Sequence, residues 1–253
     1  MVANIRKQQG GFTLVEIAIV LVIIGLLLGG ILKGQELITS ARVRNVADQN
    51  SGVQAAYYGF IDRYRMIPGD MQPGNGATQA CSVLGASNLP NCANVGGDGN
   101  GRLSDGTDGG SAWGEAGAVW SHLAAAGFIQ GPYATALLIG NAAAYQNTAV
   151  APTNPWGGYL LLGRSNQYLA PAGQPIRLHL VLGRGMPVAV ARELDVKVDD
   201  GLAESGVLRG APSGGGTYAP VDNESATCVS GNSPNRIWAI NANDNDCNAF
   251  YLY

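Results

Sequence analysis

A glycine-rich segment in the first half of the chain carries the side chains best suited to bind a metal ion. Asp98, Asn100, Asp105 and Asp108 stand among the turn-forming glycines of GGDGNGRLSDGTDGG, residues 96–110. Carboxylate and amide oxygens are the ligands that Ca²⁺ prefers in proteins. These four residues are therefore the candidate calcium ligands, and calcium is the one cofactor that the sequence suggests.

The spacing of these ligands departs from that of an EF-hand. When Asp98 and Asn100 take the third and fifth ligand positions, the first position holds Gly96 and the twelfth holds Thr107. Two of the usual ligands are therefore missing. A plain Asp-Gly turn with no cofactor is therefore the favoured interpretation, also because Asp, Asn and Gly dominate turns for conformational reasons.

A single acid interrupts the most apolar run of the chain. FTLVEIAIVLVIIGLLLGGIL, residues 12–32, has Glu16 as its only charged side chain and is long enough to cross a bilayer, which takes about 20 residues in a helix. Carboxylates within such spans are costly and are usually functional and paired. If the chain begins at Phe12, the new α-amino group lies one helical turn from Glu16. A partner in the same or an adjacent subunit is then available.

The residues before this run predict its orientation. Residues 1–11, MVANIRKQQGG, carry Arg6 and Lys7 and no acid, so the positive-inside rule keeps them in the cytoplasm and places everything after Lys33 outside it. A cleaved secretory signal is disfavoured, because the apolar run is too long and the small residues precede it. A plain signal anchor with one buried acid is the remaining alternative.

The segment GGFTLVE, residues 10–16, followed by a long apolar helix, resembles the class III signal of type IV prepilins and pseudopilins. The resemblance covers about the first 60 residues. It implies that a prepilin peptidase cleaves between Gly11 and Phe12 and methylates the amino group of Phe12. It also implies that Glu16 neutralises the amino terminus of a neighbouring subunit during assembly. Many pilins carry a proline where this sequence has Lys33, which leaves the subclass open.

The resemblance implies a structural function. The protein would be a major or minor pilin of a type IV pilus-like filament, with a type II secretion pseudopilin as the alternative and a membrane-anchored head that does not polymerise as the second. Its partners would be identical or related pilin subunits, the prepilin peptidase and methyltransferase, the inner-membrane assembly platform, and lipid before assembly. It would cross the bacterial inner membrane once and then enter a periplasmic or cell-surface filament.

Four cysteines form two short-range pairs, Cys81 with Cys92 and Cys228 with Cys247, and no Cys-x-x-Cys occurs. If the head lies outside the cytoplasm, two disulfides follow. A disulfide-closed loop near the carboxyl terminus resembles the variable surface loop of many pilins. The alternative is that these bonds only brace a glycine-rich head.

Catalytic and nucleic-acid-binding patterns are missing from the sequence. It has no nucleophile elbow, phosphate-binding loop or zinc-protease motif, and its two histidines, His122 and His179, have no acid or cysteine cluster in their neighbourhood. The net charge is −3 and the basic residues form no stripe, so phosphate backbones are not favoured partners. We expect neither an enzyme nor a nucleic-acid-binding protein.

The predicted fold is α+β, with a long protruding amino-terminal helix packed on a small antiparallel sheet. Helical periodicity continues to Tyr64, with Pro68 ending it. This periodicity places six residues on or near one stripe of the helix, namely Leu37, Ala41, Val46, Val53, Tyr57 and Phe60. The predicted divisions are a leader at 1–11, a membrane or filament-core half-helix at 12–34, an amphipathic half-helix at 35–64 and an extracytoplasmic head at 65–253.

Within the head, residues 67–110 are predicted to be an extended loop and residues 111–127 an amphipathic helix. The Trp-x-His-Leu of this helix, after an Asp-Gly-Asn-Gly loop, is similar to a group of large-headed pilin-like proteins. GYLLLG and PIRLHLVLG are predicted to be strands, the second with one buried face. A short helix is predicted at 188–198, and strands at 236–240 and 247–253.

Overall fold

A 51-residue helix, α1, opens the described part of the chain and runs from Leu14 to Tyr64. The computed structural model describes residues 13–107, 111–135, 139–171 and 173–253. Helix α1 confirms the long amino-terminal helix that the sequence predicts. It ends where Arg65 adopts a left-handed conformation with φ of 55°.

The chain divides into two compact units, Met1–Arg42 and Val43–Tyr253, and α1 contributes residues to both. Within the second unit, α1 buries a stripe that recurs every three or four residues. This stripe comprises Val43, Val46, Asn50, Val53, Ala56, Tyr57 and Phe60. Leu37 and Ala41 of the predicted stripe belong to the first unit and are exposed.

The second unit contains a four-stranded antiparallel sheet in the order β1-β2-β6-β3. Its strands are β1 (Leu161–Ser165), β2 (Arg177–Val181), β3 (Leu208–Gly210) and β6 (Ala249–Leu252). A separate two-stranded sheet pairs β4 (Val229–Ser230) with β5 (Ile237–Trp238). The long helix and the small antiparallel sheet together confirm the α+β fold.

Both faces of the four-stranded sheet are covered. Tyr251 on one face lines a small cavity with Val46 of α1, and Tyr218 lies against Gly163 on the other face. Strand β2 therefore buries consecutive residues, His179, Leu180 and Val181. The predicted alternation of one buried and one exposed face is wrong for this half of β2.

Helix α2 (Ala112–Ala125) begins with a side-chain cap, because the Ser111 hydroxyl accepts a hydrogen bond from the Gly114 N–H at 3.1 Å. It ends where Gly127 adopts a left-handed φ of 79° and its N–H bonds the Ala124 carbonyl. All residues from Gly114 to Leu123 are buried, so the predicted amphipathic helix is buried on every side.

Residues 67–107 are largely irregular but are not a surface loop. They include a π-helical turn, Cys81–Gly85. Their buried apolar side chains are Met71, Ala80, Cys81, Leu84, Leu89, Cys92, Val95 and Leu103. The sequence prediction of an extended, unpacked loop was therefore wrong, because apolar residues spaced among the glycines enter the core.

The remaining elements are short, apart from α4 (Val188–Val198), which coincides with its predicted range. They are the helices α3 (Ala142–Tyr145) and α5 (Ala219–Asp222) and the 3₁₀ turns Pro132–Thr135 and Ile240–Ala242. The strands predicted at 236–240 and 247–253 correspond to β5 and β6, with shorter extents.

The structure contains disulfides between Cys81 and Cys92 and between Cys228 and Cys247. Replacing Cys228 and Cys247 with alanine should lower the free energy of unfolding by about 3 kcal/mol, because the unfolded chain regains the entropy of an open loop. The same change at Cys81 and Cys92 should cost slightly less, since that loop is shorter. Urea titrations of oxidised wild type and both variants test this, and unchanged midpoints would contradict it.

Candidate functional site

The amino-terminal end of α1 holds a capping box. The Thr13 N–H and hydroxyl both donate to the same oxygen of Glu16, at 2.8 and 2.9 Å, and the Glu16 N–H donates to the Thr13 hydroxyl at 3.2 Å. Each residue thereby satisfies a backbone donor that the first helical turn leaves without a partner. The Glu16 carboxylate thus has hydrogen-bond partners within its own chain.

The predicted partner of Glu16, the amino group of Phe12, lies outside the described residues. Gly11 and Phe12, between which cleavage is predicted, both fall in that part of the chain. Cleavage, methylation of Phe12 and an ion pair between its amino group and Glu16 therefore stay predictions.

The first unit exposes a continuous apolar surface on both sides of Glu16. Its exposed large apolar side chains are Leu14, Val15, Ile17, Ile19, Val20, Leu21, Val22, Ile23, Ile24, Leu26, Leu27, Leu28, Ile31, Leu32, Leu37 and Ile38. Among the described residues, α1 is the one helix long and apolar enough to cross a membrane. Exposed apolar surface of this extent is typical of a segment that contacts lipid or other protein chains.

A second cluster of ionisable groups surrounds the Asp-Gly-Asn-Gly loop. Oxygens of Asp70, Asp98 and Glu115 all lie within 4.8 Å of one another. Burial raises the pKa of Asp70, and it raises the pKa of Glu115 to about 7. Three carboxylates at this separation repel one another unless protons or a cation reduce their charge.

Backbone N–H groups of the loop donate to these carboxylates. Asp70 accepts from Asn100 at 3.0 Å and from Gly101 at 2.8 Å. Glu115 accepts from Asp98 at 3.3 Å and from Ser104 at 2.5 Å. The two acids thus anchor the loop to the residues after α1 and to α2.

Gly97 lies between Asp70 and Glu115, where no larger residue fits. A Cβ added there would come within 2.7 Å of the Asp70 Cα and 2.8 Å of the Glu115 Cδ. The glycine that precedes Asp98 therefore allows the loop backbone to approach both acids closely.

The predicted calcium ligands do not all lie together in the structure. Asp98 and Asn100 share one turn. In it the Asp98 carboxylate accepts hydrogen bonds from the backbone N–H and from the side-chain amide of Asn100, each at 3.0 Å. Asp105 instead accepts from the backbone and hydroxyl of Thr107 and is not part of the three-carboxylate group. Asp108 lies outside the described residues. Calcium binding stays a prediction, and its oxygen donors would be those of Asp70, Asp98 and Glu115.

Asp70 and Glu115 were missed by the sequence reasoning. Neither belongs to the glycine-rich segment: Asp70 follows the end of α1 and Glu115 stands in the first turn of α2. One signal pointed to Glu115, which is an acid within an Ala-, Gly- and Trp-rich helix. A buried acid in such a setting is usually hydrogen-bonded to a specific partner.

Both histidines are buried and neutral. The Gly69 N–H donates to Nδ1 of His122 at 3.0 Å, so His122 braces the same chain segment as Asp70. Nδ1 of His179 lies 3.0 Å from the Arg177 carbonyl. Burial lowers the pKa of each histidine to about 4. Neither belongs to an acid cluster among the described residues, so neither is placed for metal binding.

Two other groupings of potential ligands occur in the described residues. Asp195, Asp199 and Asp200 approach one another around the turn after α4. Glu224 lies near Cys228 and Cys247, but these cysteines form a disulfide and supply no thiolate.

Comparison with known families addresses the first of these sites. Residues 6–32 match the family described as the prokaryotic N-terminal methylation motif. The chain carries this motif. It is the class III signal of type IV pilins, and it spans the cleavage position predicted after Gly11, the capping box and most of the exposed apolar run. No curated protein and no solved structure matches the chain.

The motif supports a type IV pilin-like or pseudopilin protein. Together with the apolar first half of α1, it also supports a membrane-anchored protein that is processed by a prepilin peptidase and assembles with other pilin subunits. It points to a structural protein.

Proposed function

We propose that the chain is a structural subunit, a major or minor pilin, of a type IV pilus-like filament. The observation that supports this most strongly is the overlap of the methylation motif at residues 6–32 with the exposed apolar run 12–32, whose only acid is Glu16. A membrane anchor needs the apolar length alone. The acid at the fifth position after the cleavage point bonds Thr13 in its own chain, but its charge needs a cationic partner, which another subunit or the new amino terminus would supply.

The apolar surface has two successive environments under this proposal. Lipid covers it in the inner membrane before assembly, and the corresponding helices of other subunits cover it in the filament. The second unit, with its own core and two disulfides, then forms the outside of a periplasmic or cell-surface filament. The disulfides fit such an oxidising compartment.

A pseudopilin of a type II secretion system is the second candidate, because the same motif supports it. Pilins and pseudopilins both assemble through the amino-terminal helix, and they differ in which assembly platform recruits the subunit. Isolating the filament from strains that lack one platform or the other separates them.

Processing at the predicted position is a direct test of this proposal. We expect protein from the native membrane or surface fraction to begin at N-methylated Phe12, as measured by intact mass and amino-terminal sequencing. A Gly11→Val variant should retain its leader, because the resemblance places glycine before the cut. Gln9→Ala should be processed as wild type. Retention of Met1 in the wild-type protein would contradict the proposal and favour a plain anchor.

A further inference from the structure

A small open cavity in the second unit is lined by aromatic, polar and charged side chains. Its volume is about 250 Å³, and its lining includes Gln146, Trp156, Tyr159, Arg184 and Asp246. None of these residues belongs to α1 or to the Asp-Gly-Asn-Gly loop. The cavity is therefore separate from both sites described above, and any binding there is independent of whether the chain polymerises.

One buried side chain, Asn154, fixes two walls of this cavity. Its amide nitrogen donates to the carbonyls of Leu182, Gly183 and Arg184 at 2.9, 2.9 and 3.1 Å. Its amide oxygen accepts from the N–H groups of Trp156 and Gly158 at 2.8 and 3.0 Å. A site held in this way loses little conformational entropy when a ligand binds.

The backbones of these two walls are in direct contact. A Cβ added to Gly158 would lie 2.1 Å from the Arg184 carbonyl oxygen, and one added to Gly183 would lie 2.6 Å from the Gly158 carbonyl carbon. The loop that carries Trp156 is therefore held in a fixed position against the turn that carries Arg184.

The third wall carries Asp246, which pairs with Arg184. Arg184 Nε donates to one Asp246 oxygen at 3.1 Å and Nη2 donates to the other. Asp246 precedes Cys247, which is fixed by its disulfide and by a bridge to Met186. Both side chains of the ion pair are about 40% exposed, at 39% and 43%, so the pair faces the solvent that a ligand would displace.

This pairing restricts the charge of the ligand. The guanidinium and the carboxylate neutralise each other, so an anion would compete with Asp246 and a cation with Arg184. A carboxylate has about four lone-pair positions, and the two bonds from Arg184 occupy two of them. Asp246 can therefore still accept hydrogen bonds from neutral hydroxyl groups.

We propose that this cavity binds a neutral sugar ring. Its volume lies below the roughly 300–1,000 Å³ of sites for drug-sized molecules, which suits a single ring. Trp156 and Tyr159 offer apolar surface for the C–H face of a sugar. Asp246, Arg184 and Gln146 offer acceptors and donors for its hydroxyl groups.

Titration of the full chain with monosaccharides tests this proposal. The protein is purified in a zwitterionic detergent that contains no sugar, and the probes are glucose, galactose, mannose and N-acetylglucosamine. Saturation-transfer NMR should show saturable binding of at least one, with a dissociation constant of about 1 mM, as expected for a ligand of a dozen heavy atoms. Trp156→Ala should weaken this binding about tenfold or more.

Two further variants keep the test decisive if Trp156→Ala fails to fold. Gln146 has an exposed side chain, so Gln146→Ala should fold normally and still weaken binding several-fold. Tyr58→Ala removes an aromatic ring that is 48% exposed on α1, far along the chain from the cavity loops, and should bind as wild type. The proposal is overturned if wild type binds none of the four sugars, if it prefers glucuronate to glucose, or if the cavity variants bind as wild type.

Discussion

Changing Glu16 to alanine should abolish filament assembly while leaving cleavage after Gly11 intact. Glu16 is the only charged side chain in the exposed apolar run. Its partner in a filament would be the amino group of Phe12, in the same or a neighbouring subunit. Removing one member of a buried ion pair costs about 3–5 kcal/mol, and the loss recurs at every subunit. Electron microscopy and immunoblotting of sheared surface or periplasmic fractions should therefore find no filaments.

Two other variants separate the charge of Glu16 from its capping role. Glu16→Gln keeps an oxygen that can accept from Thr13 but removes the charge, so it should also fail to assemble. Thr13→Ala removes the hydroxyl of the capping box, which costs about 1 kcal/mol, and keeps the charge, so it should assemble at reduced yield. Mass spectrometry should find the leader removed in all three variants.

The outcome also distinguishes a filament subunit from a membrane-anchored head that does not polymerise. A plain anchor gains from losing a carboxylate in its span, because an acid at the centre of a helix costs roughly 2.5–3.5 kcal/mol on insertion. Glu16→Ala would then be inserted equally well or better and would lose no function. Normal filaments in this variant would contradict the assembly role proposed here.

The parts of the fold that follow from the sequence are those with local signals. Helix α1 is an uninterrupted apolar and then periodic run that ends shortly before Pro68, and α4 shows apolar residues at helical spacing before an Asp-Asp-Gly turn. The processing signal is likewise contained in a few consecutive residues, 10–16. Each of these patterns is complete within a short stretch of chain.

The errors arise where distant segments decide burial. Strand β2 has alternating residue types, but α1 and the segment around Tyr218 cover both of its faces, so His179 is buried as completely as Leu180. Helix α2 was predicted to have a solvent face, yet its Ala and Gly residues allow neighbours such as Ile139 to approach; a Cβ at Gly117 would lie 2.7 Å from that side chain. None of these covering segments directly adjoins, in the sequence, the strand or helix that it covers.

The acid cluster at the Asp-Gly-Asn-Gly loop shows the same limit. The sequence identified Asp98 and Asn100 from their spacing among glycines. It did not identify Asp70, 28 positions before Asp98, or Glu115, 17 positions after it. Only the folded chain brings these acids together, and it leaves Asp105 elsewhere.

Stability of the second unit should fall as the pH rises from 5 to 9. Burial raises the pKa of Glu224 to about 9, of Glu115 and Asp222 to about 7, and of Asp195 to about 6. In the unfolded chain these groups ionise near pH 4. At these four acids the folded state therefore binds more protons above that pH, so their stabilisation is complete below about pH 4 and is lost as the pH rises through each folded pKa. The two buried histidines act in the opposite direction below pH 6.5, but the four acids outnumber them.

Glu224 should contribute most to this decline, because its pKa is raised furthest. Each such group changes the free energy of unfolding by at most about 1.4 kcal/mol per pH unit. Glu224→Gln removes the titration, so this variant should match wild type at pH 5 and exceed its stability by several kcal/mol at pH 9, as measured by urea unfolding of the oxidised full chain in detergent.

A matched control for Glu224→Gln is Glu193→Gln, which removes an exposed acid paired with Lys197. Exposed pairs contribute about 0–1 kcal/mol, so this variant should follow wild type at every pH. Wild type and Glu224→Gln losing stability in parallel between pH 5 and 9 would show that Glu224 is ionised in the folded protein. The decline would then have to come from the remaining buried acids, Glu115, Asp195 and Asp222, because the exposed pairs contribute too little to produce it.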